Sequence, residues 1–341
     1  ANSDDTVDVD ELLPVVSPPA DVVSGRSYTE ERQNFANWYT YYRRRLLAAT
    51  YATAEVIVNM QAVRIGLYGI NIGRSWSKVQ TVLNVKNDGQ DYTAKLLELL
   101  YDFKFQGGTP LRRALEAAGR YFDKHDNKKL DRSTGDDSPW DTAENGGECQ
   151  QAFLIVITDG YYNGNPPQTG AIANNDGDNG VPYADSYSDT LADIAMYYYE
   201  RDLNTDLADN VPTNPYDDAT HQHMVTYGVS FGVTGTLDPD DYDSDFKAKA
   251  APHDYVVWPN PTDGDKQRID DLWHASVNGR GFFLSASNPN ELVNSLLEIM
   301  KNIEEREGSA SSVSVNGDEL YTKLSGGGDI LMFQSSYDTE N

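Results

Sequence analysis

A short apolar run, Phe153–Ile157, leads directly into the turn Thr158-Asp159-Gly160. An unbroken apolar run that ends in turn residues is typical of a strand buried on both faces, as in the middle of a parallel sheet. Parallel sheets bind their ligands just beyond the carboxyl ends of the strands. Asp159 would therefore lie at the edge of the sheet where a ligand is expected.

The same patterns predict elements along most of the chain. Apolar residues at helical spacing predict helices over 29–60, 93–103, 110–121, 188–203, 269–277 and 289–305. Compact apolar or alternating runs predict strands over 64–70, 79–85, 153–158, 223–233 and 281–284. Strands and helices that alternate predict an α/β fold with a doubly wound, mostly parallel central sheet, helices on both faces and long loop insertions.

The two ends of the chain depart from this alternation. Residues 1–28 are rich in aspartate and proline, which predicts an extended arm. Residues 313–341 favour β structure around the break Ser325-Gly326-Gly327-Gly328, and they predict the start of a following β-rich domain. The α/β pattern itself occupies residues 29–312.

The charge of the chain limits the classes of partner. Its 341 residues include 54 acidic and 27 basic side chains, for a net charge of −27. This argues against nucleic acid, because phosphate binding needs a basic surface. The acidity indicates either a solvated surface or local sites for hard cations.

No apolar run reaches the roughly 18 residues of a membrane span. Nucleophile-elbow, P-loop and dinucleotide motifs are also absent, so we expect no enzymatic activity.

Two loops contain candidate ligands for a divalent cation. Gly107 and Gly108 permit an unusual turn before Thr109, and Pro110 suits the first position of a helix. Thr109 and Asp159 could then converge at one edge of the sheet. A hydroxyl and a carboxylate are hard donors that suit Mg²⁺, Mn²⁺ or Ca²⁺ rather than zinc. The alternative is an ordinary helix cap and an ordinary turn.

Asp176 and Asp178 form a second candidate group, in the loop Asn174–Gly180. The density of oxygen donors there suits Ca²⁺, although the spacing is not that of a complete calcium-binding loop. A solvated turn is the alternative to a calcium-binding loop.

His221 and His223 lack further zinc ligands that could be placed beside them, so we expect structural or exposed roles for the two histidines. Cys149 is the only cysteine, and it is either a buried or unreactive thiol or a bridge to a cysteine outside the chain.

Six stretches together carry a family resemblance. They lie at 35–47, 107–121, 149–164, 183–199, 221–237 and 270–284. Examples are FANWYTYYRRRLL, GGTPLRRALEAAGRY and CQQAFLIVITDGYYNG. The chain resembles a von Willebrand factor A-type domain over roughly 29–312, and more narrowly the PilY-type family of type IV pilus tip-associated adhesins.

In A-type domains the resemblance implies a metal-ion-dependent adhesion site built from three loops. Thr109 matches the second loop and Asp159 the third. The first loop carries Asp-x-Ser-x-Ser, which occurs nowhere in this chain; Asp131-x-Ser133-x-Gly135 is the nearest stretch and predicts a plain loop. The strand before that loop is also missing, since Pro14 interrupts the apolar residues Leu12–Val16. We therefore expect a second chain, or an excised N-terminal fragment, to supply the central strand, with Cys149 as a potential bridge.

The resemblance implies a non-enzymatic adhesion and assembly module that is extracellular, at the cell surface or the pilus tip. Its expected partners are pilins or minor pilins and a host or surface ligand, bound through a divalent cation (Mg²⁺ or Ca²⁺). A C-terminal β-propeller would begin within residues 313–341. The alternative is a structural cap that acts through protein–protein contacts and has a vestigial metal site.

Overall fold

The structure is a computed structural model that describes residues 25, 27–41, 45–59, 63–70, 83–85, 91–102, 108–126, 139–168, 170 and 172–311. Its helices are α1 (Tyr28–Tyr41), α2 (Arg45–Asn59), α3 (Thr93–Asp102), α4 (Leu111–Phe122), α5 (Leu191–Glu200), α6 (Asp265–Asn278) and α7 (Pro289–Ser311). Its strands are β1 (Val63–Ile65), β2 (Leu83–Val85), β3 (Ala152–Thr158), β4 (Met224–Phe231) and β5 (Arg280–Ala286). The predicted arm lies outside the described residues except for Gly25, Ser27 and Tyr28, and the predicted β-rich segment 313–341 lies wholly outside them.

The main sheet is parallel, with strand order β3-β4-β5. The pairing of β3 with β4 runs from Ala152 opposite Met224 to Thr158 opposite Ser230. Each connection between neighbouring strands contains a helix, α5 in the first and α6 in the second. This is the expected way to join parallel strands, because their ends lie at opposite edges of the sheet. The predicted mixed α/β fold with a parallel sheet is confirmed.

Helices cover both faces of this sheet. In β3, Val156 packs into a core with residues of α4, α5 and α6, including Leu115, Ile194 and Leu272. Its neighbours Ile155 and Ile157 pack on the opposite side, against a core formed largely by α2, α7 and β4. Successive side chains of a strand point to opposite faces, so alternate residues of β3 serve two separate cores.

The sequence predicts that the Phe153 strand lies in the middle of the sheet, whereas the corresponding strand β3 is the first in the order β3-β4-β5. All eight residues of β4 are buried, whereas most of β3 is only half-buried. Within the described residues β3 pairs on one side alone, with β4. The apolar run therefore predicted the strand and its parallel pairing, but burial depends on a second neighbour that the described residues do not supply.

The observed ends of several helices and strands differ from the predicted ones. The helix predicted over 188–203 is shorter and begins at Leu191, because Thr190 and Asp193 form a capping box. The helix predicted over 29–60 corresponds to α1 and α2, and residues 42–44 between them lie outside the description. The strand predicted over 64–70 is limited to β1, which pairs antiparallel with β2. No helix in the described part of the chain combines the length and apolar character needed to cross a membrane.

Candidate functional site

Asp159 is exposed at the carboxyl end of β3, as the sequence predicts. Its backbone carbonyl accepts a hydrogen bond from Arg45, with 2.6 Å between Nη1 and O. Arg45 also lies beside the end of β4, because a Cβ added at Gly232 would be 3.4 Å from its guanidinium carbon. A positive charge therefore lies across the carboxyl ends of two neighbouring strands.

Thr109 lies in the loop before α4, and that loop is joined to the one after β3. The Thr109 amide donates to Asn163 Oδ1 at 3.1 Å, and the Asn163 amide donates to the Thr109 carbonyl at 2.8 Å. Gly108 permits this close contact, since a Cβ there would lie 2.5 Å from Asn163 Oδ1 and would displace that side chain. The structure thus connects the two loops that contain Thr109 and Asp159. Their joint role as metal ligands stays a prediction.

Asp176 and Asp178, the second pair of predicted metal ligands, lie in different environments. Asp176 is fully buried, whereas Asp178 is exposed. Asp176 accepts hydrogen bonds from the Asp185 amide at 3.2 Å and from Asn278 Nδ2 at 2.9 Å. Burial raises the pKa of Asp176 to about 6, and repulsion from Asp185 adds to the rise while His274 opposes it. Asp176 is thus part of a buried polar group that leaves Asp178 outside.

Asp176, Asp185 and His274 are close enough to hold one metal ion. One ligand atom from each residue can be chosen so that all three lie within 4.8 Å of one another. The sequence pattern does not predict Asp185 or His274 as ligands. Asp185 is nine residues from Asp176, and His274 comes from a distant helix, so no short motif joins them. The helical pattern of α6 does not mark His274 either, because residues 269–278 are all buried, polar and apolar alike.

Asp271 is a further buried carboxylate on α6. It accepts hydrogen bonds from the Tyr162 hydroxyl at 2.7 Å and from the Leu191 and Ala192 amides at 3.0 and 3.1 Å. Those amides are the first two of α5, where unpaired donors favour an anion. Burial raises the pKa of Asp271 despite these three bonds. Asp271 therefore fixes the start of α5 and the loop after β3 to α6.

The predicted structural role of the two histidines is confirmed in part by their contacts. His223 is buried, with Nδ1 2.7 Å from the His221 carbonyl and Nε2 2.8 Å from Asp217 Oδ2. Burial opposes ionisation of Asp217, but the bond from His223 and its charge outweigh that effect and lower the pKa of Asp217. Cys149 is exposed and has no disulfide partner within the described residues, so it is not a buried thiol, and the prediction of an unreactive thiol is not tested. A bridge to another chain stays a prediction.

Three curated relatives, each named type IV pilus biogenesis factor PilY1, are similar to this chain. The protein of Pseudomonas aeruginosa strain PAO1 is 32% identical over 343 residues, which cover 87% of this chain and 28% of the relative. The protein of strain PAK is 30% identical over 86% of this chain and 28% of the relative. The protein of strain UCBPP-PA14 is 28% identical over 91% of this chain and 29% of the relative. The chain thus spans less than a third of the length of these relatives. No family model and no solved structure matches it.

Proposed function

Because this chain belongs to the PilY-type family, we propose that it is an extracellular, non-enzymatic module of adhesion and assembly at the tip of a type IV pilus. The support for the pilus role is similarity over 86–91% of the chain to relatives named as pilus biogenesis factors. Its proposed partners are pilins or minor pilins and a ligand on a host or other surface.

The proposed adhesion site is the carboxyl edge of the sheet. The observation that supports it is the joining of the Thr109 loop to the loop after β3, which begins at the exposed Asp159. Thr109 and Asp159 offer a hydroxyl and a carboxylate, which are donors for Mg²⁺ or Ca²⁺. A cation held there would keep a coordination position for an acidic group of the partner.

The free edge of β3 is the proposed place for the missing strand. Within the described residues β3 has one neighbour, and its apolar side chains are only half-buried. An unpaired edge of apolar character favours pairing with another segment. We assign that segment to a second chain or an excised N-terminal fragment, which would also supply the first metal loop. In this proposal residues 29–312 form an A-type domain that follows the arm 1–28 and precedes a β-rich domain beginning in 313–341.

One observation favours a structural cap instead. The Arg45 guanidinium already lies beside the Asp159 carbonyl, at 2.6 Å. A positive charge so close to a cation site weakens metal binding. In a cap, the domain would support the pilus tip through protein contacts, and its metal site would be vestigial.

The substitution Asp159→Ala separates the two proposals. Cells with the variant should keep their pili and lose about tenfold in surface attachment measured with Mg²⁺ or Ca²⁺, because the bound cation loses a charged ligand. The matched control is Asp209→Ala. Asp209 is exposed, and its neighbours Ala208 and Asn210 contact residues before β4 and β3, at the opposite end of the strands. If Asp159→Ala and the control attach equally well with and without cation, the adhesion site is excluded and the cap is favoured.

A further inference from the structure

The buried group around His274 has the geometry of a metal site that is separate from Thr109 and Asp159. His274 Nδ1 lies 3.4 Å from Asp185 Oδ2, and His274 Nε2 lies 3.6 Å from Asp176 Oδ2. The side chains of Asp176, Asp185 and His274 are 0%, 6% and 1% exposed. The 3.4 Å separation of Nδ1 and Asp185 Oδ2 suits two atoms bound to one zinc ion at about 2.0–2.2 Å. The imidazole binds an ion through one nitrogen only, and one ligand atom from each of the three residues can be chosen within 4.8 Å of the other two.

The hydrogen bond of His274 determines which ring nitrogen can bind a metal. Nε2 lies 2.5 Å from the Tyr183 carbonyl, which can only accept a hydrogen bond, so Nε2 carries the hydrogen. The neutral ring then presents the lone pair of Nδ1 to the Asp185 carboxylate. Metal-binding histidines are usually oriented in this way, with the second nitrogen donating to a backbone carbonyl or a carboxylate.

An unpaired amide oxygen independently indicates a ligand. Asn278 is fully buried, and its Nδ2 donates to Asp176 Oδ2 at 2.9 Å. The Oδ1 atom of the same amide has no hydrogen-bond partner within the described residues. Buried acceptors without partners are rare and call for an explanation such as an ion or a water molecule. The Nδ2 atom of this amide also lies 3.4 Å from the Ala192 carbonyl, so the unpaired oxygen lies in the same buried region as Asp176.

The surrounding charges favour a bound cation. Asp193 lies next to Asp176, and Asp193 Oδ1 accepts the Asp176 amide at 3.5 Å. The nearby guanidinium of Arg280 is directed elsewhere, since it stacks on Tyr183 at 3.9 Å and donates to the Asn278 carbonyl. Several carboxylates thus share a buried region with one imidazole, and an added cation would compensate their charge.

We propose that Asp176, Asp185 and His274 bind one divalent transition-metal ion, with zinc as the preferred ion, and that this ion fixes the 172–190 segment to α6. An imidazole with two carboxylates suits zinc better than Mg²⁺ or Ca²⁺, which prefer oxygen ligands alone. The Trp258 ring stacks on the imidazole, with centroids 4.2 Å apart and 10° between planes, and it holds the ring in the ligating orientation. Because the side chains of all three ligands are buried, we assign the ion a structural role.

The test is a zinc titration of the full chain after removal of metal with a chelator. Calorimetry should give one zinc per chain, and the melting temperature should rise with zinc, because a ligand of the native state stabilises it. Asp185→Asn should weaken zinc binding at least tenfold. The matched control Asp178→Asn, an exposed residue of the same segment, and the variant Asp159→Ala should bind within twofold of wild type.

A second measurement covers the case in which Asp185→Asn fails to fold. Cobalt bound to the wild-type chain should show the visible absorption of a low-symmetry site, and zinc should abolish that absorption. Absence of zinc binding by the folded wild-type chain would overturn the proposal. Equal zinc binding by wild type and folded Asp185→Asn would also overturn it. Because Asp159→Ala retains the zinc, failure of the adhesion proposal is seen separately.

Discussion

Two regions of the molecule present carboxylates to a potential cation in opposite ways. At the carboxyl edge of the sheet, Asp159 is exposed and lies beside the charge of Arg45. In the buried group, Asp176 and His274 are almost fully removed from water. An exposed site exchanges ions and partners readily, whereas a closed site contributes its binding energy to folding.

This difference shows which features suit adhesion and which suit stability. The exposed edge depends on loops, and its backbone is joined mainly through Asn163. The buried group instead connects the 172–190 segment, α5 and α6 through side chains. Substitutions at the edge should therefore change binding more than folding. Substitutions in the buried region should change folding more than binding.

The largest effect on folding is expected for Asp271→Ala. This change leaves the Tyr162 hydroxyl and two amides of α5 without their acceptor. Each buried donor that loses its partner costs about 1–3 kcal/mol, so the free energy of unfolding should fall by about 3 kcal/mol in total. Urea denaturation followed by circular dichroism measures it. Asp159→Ala is the exposed counterpart and should stay within about 0.5 kcal/mol of wild type. Equal losses in the two variants would remove the distinction between the regions.

An intermediate effect is expected for Asn163→Ala. The substitution removes the acceptor of the Thr109 amide, so the free energy of unfolding should fall by about 1 kcal/mol. Surface attachment with Mg²⁺ or Ca²⁺ should fall with it, because Thr109 would no longer be held against the loop after β3. The exposed neighbour Asn165 provides the control substitution Asn165→Ala. Full attachment by Asn163→Ala would show that the position of Thr109 does not matter for adhesion.

The smallest effect on folding is expected for Arg45→Gln. Loss of an exposed hydrogen bond to the Asp159 carbonyl should change the free energy of unfolding by about 0.5 kcal/mol at most. Affinity for Mg²⁺ should rise about threefold at low salt, because a nearby positive charge is removed, and the gain should vanish in about 1 M salt. Titration calorimetry measures the affinity for Mg²⁺, and scanning calorimetry measures the change in folding stability. Lys249→Gln is the control, since Lys249 also donates to a backbone carbonyl. A lower affinity in Arg45→Gln would mean that Arg45 positions the loop for the metal.

The sequence predicted most of the fold because the signals are local. The apolar run of β3, the alternation of β4 and the helical spacing of α7 each follow from neighbouring residues. The position of Asp159 after β3 follows in the same way. Helix α5 was predicted too long, since its start depends on the side-chain bonds of Thr190 and Asp193 rather than on apolar spacing.

The buried group shows what local signals miss. The sequence predicts Asp176 and Asp178 together because both are oxygen donors in one loop, yet only Asp176 is buried. Its partner His274 is 98 positions further along the chain, and the two meet because α6 packs on the 172–190 segment. Nothing in the spacing of residues within one loop encodes such a contact.

By itself, the sequence determined the order of strands and helices, the parallel character of the sheet and the residue that follows the carboxyl end of β3. It did so because hydrophobic period and turn chemistry act over a few residues. Only the tertiary structure decided that β4 is the most buried strand, that β3 has one neighbour within the described residues, and that Asp185 and His274 join Asp176. Those outcomes depend on which distant surfaces pack together and exclude water.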